Sequence, residues 1–143
     1  MKTEVQGLFE RYEGFFLRAL AGEADMAELE ELYTPDYIAA SPAGVMSGKI
    51  DARFRQSLLE GYEHYRAIGT RQMQVRHIDI SPMGDSHCVA HVAWIATYAR
   101  PNRLDAKIDF EVHYLVRLEG GMARVFGWVT GDEQAVLRRH GII

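Results

Sequence analysis

The sequence predicts an α+β domain, with helices packed on one face of an antiparallel sheet, and three observations lead there. Residues 107–131 read as a long hairpin with one apolar face. Ile108, Phe110, Val112, Tyr114, Val116 and Leu118 alternate with Asp109, Glu111, His113 and Arg117, and only Leu115 breaks the pattern. Helical periodicity is concentrated in the first half of the chain and strand periodicity in the second. The two patterns do not alternate as a parallel βαβ fold requires. A sheet with one apolar face needs a cover, and the helical segments supply it.

In chain order, Val5, Leu8, Phe9, Tyr12, Phe15, Phe16, Ala19 and Leu20 form one face of a helix over residues 4–21, which Gly22 ends. Asp25 can accept the unpaired N–H groups of a shorter helix over residues 26–33, stopped by Pro35. Residues 37–41 make a short strand closed by the turn Ser41-Pro42-Ala43-Gly44. A third helix starts at Ser47 or Gly48 and runs to about Ala67, with Ile50, Phe54, Leu58, Leu59, Tyr62 and Tyr65 on its apolar side. Gly69 stops it. Strands over 70–81 and 87–98 follow, joined through Pro82-Met83-Gly84-Asp85. Residues 99–106, with Pro101 and Asn102, make a longer connection suited to a mobile loop over a pocket mouth. The hairpin turns at Glu119-Gly120-Gly121, and Asp132 caps a last short helix to His140, whose Arg138 and Arg139 complement the helix dipole.

A chain of 143 residues, 48% hydrophobic and 25% charged, fits one domain spanning residues 1–143 with a single core. The formal charge of -4 and a pI near 5.8 argue against nucleic-acid binding, which calls for a basic face. The lone Cys88 lies in an apolar strand, forms no internal disulfide and suits a reducing cytoplasm. No apolar run of about 18 residues and no basic leader followed by an apolar core are present, so neither a membrane span nor a secretory signal is expected.

Leu32-Tyr33 followed by Asp36, the short strand ending Ser41-Pro42, Ser47-Gly48 and the run Arg117-Leu118-Glu119-Gly120-Gly121-Met122, taken with the element order, resemble the nuclear transport factor 2-like superfamily. That group includes the SnoaL-like polyketide cyclases and the ketosteroid isomerases. The resemblance implies a cystatin-like fold, a cone-shaped curled sheet around N-terminal helices, with a ligand pocket under the concave face and pairing of chains through the outer sheet surface. Phe110, Val112 and Tyr114 then line the pocket. On the preceding strand Cys88, Ala90, Val92, Trp94, Ala96 and Tyr98 point inward, and Phe16, Phe54 and Leu58 close the pocket from the helix side. In ketosteroid isomerases a catalytic carboxylate precedes the proline of the first short strand, and Ser41 stands there instead. A second family acid, which donates to the oxyanion, matches Tyr114. The family's donor tyrosine falls at Leu17, with Tyr12 as the substitute after a register shift.

The ligand expected from this comparison is a small hydrophobic molecule bearing at least one oxygen. Chemistry, where present, is cofactor-independent isomerisation, cyclisation or dehydration of a carbonyl compound, with Tyr114 as hydrogen-bond donor. His91, Asp36 and His113 are the candidate bases. The alternative for Tyr114 is a core tyrosine bonded to a backbone carbonyl, and for Ser41 a turn or pocket-wall residue. A non-catalytic binding or dimerisation module is the competing function.

No metal is expected. His87 and His91 lie about 13 Å apart along one strand, and a cross-strand set of His91, His113, Glu111, His77 and Asp79 serves equally as a solvated or dimer-facing surface. In the last strand the resemblance to the family implies that the smaller residues Ala123, Val125, Gly127 and Val129 point inward, leaving Phe126 and Trp128 on the outer face, where they fit a homodimer surface. A β-bulge at Gly127 would reverse that parity and put Trp128 in the pocket.

Overall fold

The computed structural model describes residues 1–143. Helix α1 (Lys2–Leu20) buries Val5, Leu8, Phe9, Phe15, Phe16, Ala19 and Leu20, the stripe that its 3.6-residue period places on one side. After it the chain makes a 3-10 turn at Met26–Glu28, capped by the Asp25 carboxylate, which accepts the Ala27 N–H at 3.0 Å. One turn of helix, α2 (Leu29–Leu32), follows, and Tyr33 already belongs to the first strand. The predicted helix over 26–33 is therefore two short pieces.

Six strands form one sheet: β1 (Tyr33–Ser41), β2 (Gly44–Lys49), β3 (Thr70–Met83), β4 (His87–Tyr98), β5 (Ala106–Glu119) and β6 (Met122–Thr130). Their order is β2-β1-β6-β5-β4-β3, with β1 parallel to β6 and every other pair antiparallel. The sheet is curled and unclosed, and the helices lie in its concave side. Strand β2 has no counterpart among the sequence-based expectations. It takes up Ser47 and Gly48, predicted to open the third helix. That helix, α3 (Ala52–Ala67), begins later because the Asp51 carboxylate accepts the Phe54 N–H at 2.9 Å. A last helix, α4 (Glu133–Arg139), is capped in the same way by Asp132 through the Ala135 N–H at 3.0 Å.

Strand β4 alternates without a lapse. Cys88, Ala90, Val92, Trp94, Ala96 and Tyr98 are buried, and the residues between them are half-buried on the convex face. In β5 the buried set is Val112, Tyr114 and Val116, which join α1 in the main core, and Ile108, which packs with Ala96, Tyr98 and Leu137 in a second, smaller cluster. Helix α3 is different: only Tyr62 is buried, while Phe54, Leu58 and Tyr65 are partly covered. It rides above the sheet rather than sealing against it, and this leaves the space considered below.

Strand β6 departs from the expected parity. Leu115 pairs with Gly127 and Val116 with Val125, so Phe126 is an extra residue, a β-bulge. Trp128 is thereby turned to the concave side, opposite Tyr114, and stacks on Tyr37 with centroids 5.0 Å apart. Trp128 is not an outer-face residue. Phe126 is, with the His87 ring edge-on at 5.7 Å. Gly127 is needed at the bulge because a Cβ there would stand 2.8 Å from the Ile38 carbonyl oxygen and 2.9 Å from Leu115 Cδ1.

No helix is long and apolar enough to cross a membrane.

Candidate functional site

A cavity of about 380 Å³ lies between the concave face and the helices. Helix α1 contributes Tyr12 and Phe16, β1 contributes Tyr33, and α3 contributes Phe54, Ser57, Leu58, Gly61, Tyr62 and Tyr65. From the sheet come Met73, Phe110, Val112, Tyr114, Trp128 and Thr130, and α4 adds Glu133. Of the residues expected from sequence, Phe16, Phe54, Leu58, Phe110, Val112 and Tyr114 are thus brought together on one wall or another.

Two expected residues are not on it. Trp94 is fully buried in the core against Phe9 and Tyr12 of α1, and its Nε1–H donates to the Tyr114 hydroxyl at 3.2 Å. Ser41 lies at the β1–β2 turn, where its hydroxyl accepts the Ala43 N–H at 3.2 Å, and it lines a separate surface depression. The connection after β4 contributes no wall residue either. The side where it was expected is occupied by α4.

Four polar aromatics meet at the bottom. Tyr114 takes the Trp94 indole N–H, and Tyr33 donates to the Tyr12 hydroxyl at 3.1 Å. Burial raises the pKa of Tyr12, Tyr33 and Tyr114 above the ordinary phenol value, so all three remain protonated at neutral pH. The Tyr12 oxygen accepts from Tyr33 and the Tyr114 oxygen from Trp94, and neither phenol spends its own hydrogen on a neighbour, so both keep it for a molecule in the cavity. Leu17, the position of the family's donor tyrosine, is 53% exposed on the far side of α1.

Glu133 is the residue that sequence reasoning missed. It opens α4, and its Oε1 lies 3.4 Å from the Tyr65 hydroxyl across the cavity mouth. Although much of its surface is open to solvent, desolvation against the cavity wall is the main cause that raises its pKa, while the Tyr65 bond and the charge of His64 oppose it. No other carboxylate lines the cavity. The sequence offered one signal, an acidic residue in the first turn of a capped helix, and that describes many ordinary helices.

The candidate bases lie elsewhere. Asp36 is exposed and paired with Lys49 at 2.7 Å. His91 and His113 face each other on the convex side with Nδ1 atoms 2.8 Å apart, and Ser81 Oγ lies 2.9 Å from His91 Nε2. His77 is engaged with Asp79 at 2.9 Å. No group of three or more His, Cys, Asp or Glu side chains is placed to hold a metal ion.

A family model described as "NTF2-like protein (DUF6841)" matches residues 3–133. No curated protein matches the chain. Among solved structures, an NTF2-like protein with a cystatin-like fold from Novosphingobium aromaticivorans is 14% identical, with a TM-score of 0.67 over 99% of this chain and 88% of that one. An uncharacterised protein with a cystatin-like fold from Caulobacter vibrioides is 13% identical, with a TM-score of 0.60 over 96% and 94%. A nuclear transport factor 2 superfamily protein from Salmonella enterica is 16% identical, with a TM-score of 0.61 over 90% and 87%. At these identities the likeness is one of fold.

Proposed function

The chain belongs to the NTF2-like family (DUF6841), and from that membership and its cavity we propose that it binds a small, largely apolar molecule between helices and sheet, with a ligand oxygen accepting the Tyr12 hydrogen. One observation carries the reading: an aromatic cavity of about 380 Å³ ends in a phenol cluster whose internal hydrogen bonds leave the Tyr12 and Tyr114 donors unspent. Apolar walls with a few convergent polar groups are the usual make-up of a small-molecule site. The NTF2-like fold supports a small ligand-binding or enzyme-like domain.

The enzymatic form of this reading is SnoaL-like: cofactor-independent isomerisation, cyclisation or dehydration of a carbonyl compound. Tyr12, supported by Tyr114, would donate to the developing oxyanion. Glu133 favours it, being the one carboxylate on the wall and the only group there with the basicity for proton removal. The non-catalytic module is favoured by Ser41, which stands where a family isomerase has its base and lies outside the cavity.

The protein is further proposed to act in the cytoplasm as a homodimer paired through the convex sheet face. Support for pairing is the apolar set Ile38, Leu115, Phe126 and Val129 on β1, β5 and β6, of which Ile38 is 44% and Val129 43% exposed.

The test is a fluorescence titration with 2-acetonaphthone, a neutral ketone small enough for the cavity. Wild type is expected to bind it, Leu58→Trp to lose binding because the new ring fills the space, and Leu17→Trp on the opposite side of α1 to retain it. Equal binding by both variants, or none by wild type, would refute the assignment of the cavity.

A further inference from the structure

The charge of the cavity wall carries more than its shape. Nine of its 16 residues are aromatic, one is a carboxylate, and none is Lys, Arg or His. The basic groups nearby are turned away. Arg66 donates to the Ala19 carbonyl at 3.0 Å, and Arg11 reaches the Ala123 carbonyl at 3.5 Å. His64, the one basic side chain that bears on Glu133, is exposed on α3 and does not line this cavity.

Tyr65, which reaches Glu133, belongs to a ring cluster on the same cavity wall. Phe16 packs against Tyr62 at 5.1 Å and Tyr65 at 5.6 Å between centroids, and Tyr65 gives Glu133 its single, long hydrogen bond of 3.4 Å. A carboxylate can accept about four hydrogen bonds, so most of the capacity of Glu133 is unused. An apolar neutral ligand would strip water from this group and return nothing. An anionic ligand would be repelled by it. A cation is favoured twice, by the carboxylate and by the negative faces of the rings.

Resting on the reading of this cavity as the ligand site, we infer that it selects a small organic cation, a protonated or quaternary amine on a largely apolar body, with its nitrogen against Glu133 among Phe16, Tyr62 and Tyr65. The approach agrees in sign. An adjoining cleft of about 320 Å³ between β5 and α4 shares Phe110, Val112, Thr130 and Glu133 with the cavity and has no basic residue on its walls. Its Asp109 is paired with Arg76 at 2.9 Å, and Glu111, Glu133 and Asp132, which also caps α4, set the field. In this role Glu133 holds a cation rather than removing a proton, so the inference favours binding over carbonyl chemistry.

The experiment compares phenyltrimethylammonium with its uncharged isostere tert-butylbenzene by intrinsic tryptophan fluorescence, for which Trp128 on the wall is the reporter. Wild type is expected to bind the cation at least about tenfold more tightly than the isostere. Glu133→Gln is expected to lose that preference while binding tert-butylbenzene at least as tightly as wild type does. The retained affinity also shows that the variant is folded. Equal affinities in wild type, or a preference that survives Glu133→Gln, would overturn the inference while leaving the cavity assignment standing. Binding of neither probe would overturn both.

Discussion

Replacing Gly127 with alanine adds one carbon where β1, β5 and β6 are closest. The new Cβ would lie 2.8 Å from the Ile38 carbonyl oxygen and 2.9 Å from Leu115 Cδ1. Leucine can change rotamer, but the carbonyl is part of the parallel β1–β6 ladder, in which Ile38 pairs with Gly127 itself. Relief therefore requires β1 to move or the bulge at Phe126 to rearrange. Overpacking of this kind costs about 1–3 kcal/mol, which for a chain of this length lowers the melting temperature by about 3–10 °C. The same movement disturbs the Trp128–Tyr37 stack, centred at 5.0 Å, so the near-ultraviolet circular dichroism should lose intensity together with stability. Thermal melts followed at far- and near-ultraviolet wavelengths read both effects. A melting temperature within about 1 °C of wild type and an unchanged aromatic spectrum would refute the claim that a tight bulge aims Trp128 into the cavity.

Three further outcomes are expected. Tyr114→Phe removes the acceptor of the fully buried Trp94 N–H and should lower stability in urea by about 1–3 kcal/mol, and a loss below about 0.5 kcal/mol would mean that the bond contributes nothing net. Burial raises the pKa of Glu133 above the ordinary carboxylate value, so its ionisation removes stability as pH rises from the unfolded value through the folded one. Glu133→Gln should accordingly melt above wild type at about pH 8 and level with it at about pH 4 by calorimetry, and an equal difference at both would contradict the shift. Phe126→Glu places a charge on the convex face and should convert a dimer to a monomer in sedimentation velocity, whereas a monomeric wild type would rule out pairing through that face.

Much of this fold was legible because burial and period coincide. The stripe from Val5 to Leu20 and the two-residue alternation from Cys88 to Tyr98 each mark one covered face, and each is where the sequence placed it. Strand β2 was invisible for the converse reason. Five of its six residues are exposed and the sixth is half-buried, so no hydrophobic period marks it, and Ser47 passes for a helix cap as readily as Asp51. The parity of Trp128 rested on one inserted residue, for which Gly127 is the only local sign. Glu133 joins the cavity because α4 folds back against Tyr65, 68 positions away in the chain, a proximity that no local pattern encodes.

Native mass spectrometry of the purified protein, before and after denaturation and organic extraction, tests the central claim most directly. The account predicts 16.2 kDa chains, paired under native conditions, that release a discrete small molecule with an amine or quaternary ammonium nitrogen on denaturation. A Leu58→Trp sample prepared alongside should carry none. A wild-type protein that flies with no bound mass, or a molecule retained equally by both samples, would contradict the account of the cavity as the ligand site.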